Sequence, residues 1–119
     1  MSNKLRGMMS VAALACGLIA AAGPAWAGST ASSVKIVSVA LNRSLGYGFV
    51  KFETPPGGKP ACSSHYWDYT VPLSTPFDDK LYATLLAAFE AGNAVTVYGT
   101  GLCSEHGNIE SVDSVQLVP

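Results

Sequence analysis

From Val34 onward the apolar positions follow two different periods. "VKIVSVALN" is β-branched and alternates in part, which predicts a first strand over Val34–Asn42. "RSLG" then turns the chain. "YGFVKFE" predicts a second strand over Tyr47–Glu53, with Tyr47 and Phe49 on one face and Val50 and Phe52 bracketing the other. Gly46 and Gly48 flank Tyr47, so a bulge or tight bend is expected there. Thr54–Ser64, "TPPGGKPACSS", reads as a loop, and its Pro55-Pro56 pair cannot continue a central strand. "HYWDYTVPL", His65–Leu73, predicts a short third strand ending at Pro72.

At Thr75 the period becomes helical. Thr75 suits an N-cap, Pro76 the first helical position, and Asp78 and Asp79 the positive end of the dipole. Gly92, followed by Asn93, closes the helix in a left-handed conformation. Between the caps Phe77, Leu81, Leu85 and Ala88 form one apolar stripe, and Tyr82, Leu86 and Phe89 a second. Together they cover more of the circumference than a helix lying on one sheet needs. Ala94–Gly101 predicts a fourth strand, "GLCSEHGN" its hairpin loop, and Ile109–Val118 the last strand. The expectation is a mainly β domain with one helix, in the order β-β-β-α-β-β.

A different pattern precedes the strands. Lys4 and Arg6 lead into an apolar run over Met8–Ala22, followed by "GPAWAGS" with Ala25 and Ala27 in an A-x-A arrangement. Residues 1–27 therefore read as a secretory signal cleaved between Ala27 and Gly28. The run is short for a membrane span, and Pro24 with small residues follows it. Gly28 stands where a lipoprotein would need cysteine. This leaves 28–119 as one domain of about ninety residues, secreted or periplasmic.

The whole chain carries a net charge of −1, and removing Lys4 and Arg6 makes the remainder more acidic. Without a Lys/Arg cluster, neither nucleic acid nor membrane insertion is expected. Cys62 and Cys103 remain after export, and an oxidising compartment makes a disulfide between them the default. The rival is zinc, since Cys62 with His65 and Cys103 with His106 repeat a C-x-x-H spacing. The disulfide is preferred, and no metal or cofactor is expected. Gly99-Thr100-Gly101 ends a strand and runs towards another, whereas phosphate-binding glycines open a helix. Glu105 and His106 lack a nucleophile and an orienting third group, so the chain reads as non-catalytic.

The stretch "LYATLLAAFEAGNAVTVYGTG", with a cysteine before an aromatic strand, resembles the B subunits of subtilase-cytotoxin type within the pertussis-like AB5 toxins. There a helix of the form T-L-Y-x-x-x-L runs into G-x-x-V-x-I-Y. Here Thr75, Leu81, Tyr82 and Leu85 run into Gly92, Val95, Val97 and Tyr98. The frame K-L-Y-A-x-L-L-A-A…V-x-V-x-G-T-G-x-C…G…E-x-V is also similar to that of other small exported bacterial proteins. The resemblance spans nearly all of 28–119 through structural motifs. It implies an OB-fold, a small barrel with one helix, a ring pentamer, sialylated glycans as ligands and a catalytic A subunit as partner.

The residues themselves offer one sugar-binding composition, "SSHYWDY". Trp67 would stack on a sugar face while Ser63, Ser64, His65 and Asp68 hydrogen-bond to it. Against this, Trp67 and Tyr69 would serve equally as barrel core, with Tyr66 packing the loop. The second helical stripe, flanked by Ala83, Ala87 and Ala91, predicts a homo-oligomer with Tyr82, Leu86, Ala87 and Phe89 at its interface. The alternative is a monomer in which residues 54–64 cover that stripe. The functional expectation is an exported glycan-recognising binding subunit; the alternative is a stand-alone secreted or periplasmic domain with a structural or inhibitory role.

Overall fold

The computed structural model describes residues 28–119; the secretory signal read over 1–27 lies outside the described residues. The elements are β1 (Thr30–Asn42), β2 (Tyr47–Phe52), β3 (Tyr69–Pro72), α1 (Pro76–Ala91), β4 (Ala94–Gly99) and β5 (Glu110–Leu117). The domain is mainly β with one helix, in the expected order.

β1 is the strand that closes the sheet. Its first part, Thr30–Lys35, pairs antiparallel with β4, and its second part, Ile36–Asn42, pairs antiparallel with β2. Register shifts at Ala31/Val34 and Ile36/Ser38 separate the two duties. Ser33, at φ 49°, sits in the first of them. Such bulges bend a strand and raise its twist, which lets one strand serve both sides of a barrel. β2 then pairs with β3, β3 runs parallel to β5, and β5 pairs antiparallel with β4. The circuit β1-β2-β3-β5-β4 is closed.

Three strand boundaries differ from expectation by two residues or more. β1 begins four residues early, because Ala31 is buried and paired with Val97 although "TASS" has little β character of its own. β3 begins only at Tyr69, since the Ser64 and His65 N–H groups go to the Asn108 carbonyl and residues 65–68 form bends. β4 stops at Gly99, where the register with β5 shifts. Of the bulge or tight bend expected beside Tyr47, the chain has the bend, and the register shifts lie in β1. Gly46 makes the tight turn at φ 78°. Gly48 pairs regularly with Leu41, and a Cβ there would lie 3.1 Å from the Tyr82 ring. The absent side chain is the seat for that ring.

α1 is capped as its sequence demands. Thr75 Oγ1 accepts from Asp78 N–H, and Asp78 accepts in return from the Thr75 and Ser74 N–H groups. Burial pushes the Asp78 carboxyl up, but the Ser74 and Thr75 hydrogen bonds outweigh it and hold the group below the usual carboxylate range. Gly92, at φ 69°, ends the helix. The helix packs against β1, β3, β4 and β5, burying Leu81, Leu85 and Ala88. These join Val50, Phe52, Tyr69, Val71, Val95, Val97 and Val112 in the core.

The second stripe is partly covered by the same subunit. Tyr82 packs against the core and Leu86 is half-buried, while Ala87 is exposed and Phe89 is 37 % exposed. Phe77, expected on the first stripe, is 64 % exposed, so the apolar surface that α1 leaves open combines Phe77 with Ala87 and Phe89 and is not the second stripe as such. Among the described residues no helix is long and apolar enough to cross a membrane.

Candidate functional site: an aromatic face held by a disulfide

β2 is covered on both sides. Val50 and Phe52 point into the core, whereas Tyr47 and Phe49 share the outer face as the alternation requires. On that outer face the rings form a continuous run. Tyr47 meets Phe49 edge-on at 5.5 Å between centroids. Phe49 lies 5.5 Å from Trp67 at an interplanar angle of 32°. Trp67 meets Tyr66 edge-on at 5.6 Å, and Lys51 Nζ sits 4.7 Å above the Tyr66 ring. At the other end His106 faces both Tyr47 and Phe49, and His65 lies 5.6 Å from His106.

Two loops bring these rings together, and covalent and backbone links hold the loops. Cys62 and Cys103 form a disulfide with Cα atoms 6.3 Å apart. Beside it, Ser64 and His65 donate their N–H groups to the Asn108 carbonyl at 3.0 and 3.2 Å. His65 Nδ1 accepts from Trp67 N–H, which folds the loop onto β2. Thus Cys62, His65, Cys103 and His106 do converge, as the repeated C-x-x-H spacing suggested. The sulfurs are bonded to each other, so a zinc ion would have only the imidazoles.

The sugar-binding candidates separate into two groups. Ser64 and His65 are exposed and Trp67 is half-buried, with one side on Phe49. Ser63 Oγ is buried without a hydrogen-bond partner among the described residues, so it faces inward. Asp68 must be withdrawn: it is 1 % exposed. Its carboxylate accepts from Phe52 N–H at 2.8 Å and pairs with Lys59 at 3.0 Å and Lys51 at 3.8 Å. It ties the loop to β2 and cannot reach a surface ligand. Tyr69 is core, as the competing reading had it, but Tyr66 is 65 % exposed rather than packed on the loop.

Glu105 and His106 bond different partners. The Glu105 carboxylate accepts from the Thr70 and Ser111 hydroxyls, while His106 Nδ1 bonds Asn108 Oδ1 at 2.6 Å. Asn108 is the orienting group that the residue spacing did not suggest. No Ser, Thr or Cys nucleophile hydrogen-bonds to this imidazole among the described residues.

One polar centre escaped the sequence reading. Glu110 is 0 % exposed. Its carboxylate accepts from Ser29 N–H at 3.0 Å, Gly101 N–H at 2.9 Å and the Ser29 hydroxyl. The Ser29 hydrogen is used on Glu110, so the Tyr69 hydroxyl, 2.6 Å away, donates to Ser29 Oγ. Burial pushes the Tyr69 phenol up, and the Glu110 charge adds to the effect, although the Ser29 bond opposes it. A signal was present: Glu110 shares the inward phase of β5 with Val112, opposite a β4 whose own inward residues end in a glycine.

Comparison of the chain with family models, with curated proteins and with solved structures gave no match.

Proposed function

We propose that this protein is an exported, non-catalytic binding subunit that recognises a glycan on the aromatic face of β2 and the disulfide-held loops. The observation that carries the reading is the exposed Tyr66 ring, with Trp67 at its edge and Lys51 at its face. Exposed aromatic rings beside polar side chains suit the alternating apolar and hydroxylated surfaces of a sugar. His65 and Ser64 are the adjacent exposed groups able to hydrogen-bond, and sialylated or other cell-surface glycans are the ligand class suggested by the family resemblance.

We read the domain as an OB-fold. The support is the closed five-strand circuit and the placement of α1 between β3 and β4. Oligosaccharide-binding members of that architecture use the face of the second and third strands, where the ring cluster lies. A test follows from the different burial of two neighbours. Tyr66→Ala should abolish binding on a glycan array while changing stability by about 0.5 kcal/mol or less, as surface substitutions do. Trp67→Ala should also abolish binding, but with an added loss of about 0.5–1.5 kcal/mol from its contact with Phe49. Undiminished binding by both variants would refute the site.

Assembly belongs to the same proposal. Exposed Ala87 and Phe89, with half-buried Leu86 and Tyr82, give α1 a face that small residues let a second copy approach. A closed ring, five copies by the family resemblance, would place these helices near its axis and leave the aromatic face free for ligand. A catalytic A subunit would then be its partner. Light scattering of residues 28–119 should give an oligomer mass at micromolar concentration. Ala87→Glu should reduce it to the monomer mass without unfolding the subunit, because Ala87 is exposed. A monomer mass for the unaltered protein would defeat the ring.

A further inference from the structure

The Glu110 carboxylate is buried, but no cationic side chain among the described residues pairs with it; Lys51 and Lys59 both engage Asp68. A buried charge held by hydrogen bonds alone is costly, and an opposite charge nearby offsets that cost. The residue that supplies two of its hydrogen bonds is Ser29, immediately after Gly28. If the leader is removed between Ala27 and Gly28, the chain acquires a new positive charge at the Gly28 nitrogen.

We propose that Glu110 is the receptor for this processed N-terminus, and that cleavage completes a buried ion pair absent from the precursor. Three observations support it. The Gly28 nitrogen lies one peptide unit, with Cα atoms about 3.8 Å apart, from the Ser29 nitrogen that touches Glu110. The backbone just after it is fastened, which limits how far the amine can move from the carboxylate. Gly99 N–H donates to the Ser29 carbonyl at 2.9 Å, and Thr30 exchanges two 3.0 Å hydrogen bonds with Gly57. Finally, Gly28 is half-buried in the uncleaved chain, so it lies against the domain and not out in water. The pair would couple maturation to stability, leaving the leader-bearing chain easier to keep unfolded for export and the cleaved chain locked once folded.

The proposal rests on cleavage before Gly28, so the first measurement is N-terminal sequencing of the exported protein; a start at any residue other than Gly28 overturns it. Next, residues 28–119 with a free amine are compared with the same chain acetylated only at Gly28 and with a chain beginning at Trp26. Acetylation and extension should each lower the melting temperature by about 4 °C or more, the shift expected when a domain of this size loses one modest ion pair. Equal melting temperatures overturn the proposal. Glu110→Gln supplies an independent sign. It should destabilise the free-amine chain more than the acetylated one, whereas equal effects in both would show that the amine and Glu110 do not interact. If Glu110→Gln fails to fold, the acetylation comparison decides, because it alters no side chain.

Discussion

Gly99→Ala should be among the most destabilising single changes in the domain. Gly99 is in the inward phase of β4, and a Cβ built on it would collide with Glu110 Oε2 and lie 2.8 Å from Tyr69 Cε1. Neither neighbour can step aside freely. Glu110 is held by Ser29 and Gly101, and the Tyr69 ring packs edge-on against Phe52 at 5.7 Å. The added methyl must break the carboxylate's hydrogen bonds or push β4 away from β5. Overpacking alone typically costs about 1–3 kcal/mol, and an uncompensated buried carboxylate adds to it, so a total on the order of 4 kcal/mol is expected. That is a large share of the roughly 5–15 kcal/mol that holds a domain together. Denaturant unfolding would measure the loss. Truncating the obstacle should recover part of it, so Gly99→Ala with Glu110→Ala should be less destabilised than the two single changes summed. A Gly99→Ala protein melting within a few degrees of the unaltered one would show that the carboxylate is not confined as described.

Breaking the disulfide should cost about 2–5 kcal/mol, the usual loss in small exported domains. Cys62 and Cys103 are 41 residues apart in sequence, and their bond removes much of the freedom of the unfolded chain. The structure adds a local consequence. The same bond clamps the loop bearing Tyr66 and Trp67 to the loop bearing His106. Cys62→Ser with Cys103→Ser should therefore lower the melting temperature and weaken the glycan binding proposed for this face in the molecules that remain folded. Thiol titration of the non-reduced protein should find neither cysteine free. Two reactive thiols there, or an unchanged unfolding midpoint in the double variant, would count against the bond.

The helix was the most legible element because its signals are local. Thr75, Pro76, Asp78 and Gly92 act within a turn of their own positions, and both boundaries fell where these residues placed them. The disulfide was legible for a different reason, since it required only the choice of partner among few cysteines. The strands were harder. Thr30–Ser33 is a strand because β4 offers it a partner, and the chain at His65 is not yet one because Asn108 takes its N–H group. Both outcomes depend on residues far along the chain.

The candidate site divides in the same way. "SSHYWDY" was visible as a cluster of aromatic and polar residues, but composition could not say which side chains face out. Asp68 turned inward to Lys59 and Lys51, and Tyr66 turned outward. By itself the sequence determined the local devices: the helix caps, the alternation of β4, the turn at Gly46 and the available cysteine pair. These follow from backbone sterics, hydrogen bonding within a few residues and the period of apolar positions. Only the tertiary structure decided how the barrel closes, which aromatic rings meet, and that Glu110 lies buried against Ser29, 81 residues away in sequence. A buried carboxylate is stable only where its hydrogen-bond donors converge. That convergence is a property of β1, β4 and β5 packed together, and no short stretch of the chain contains it.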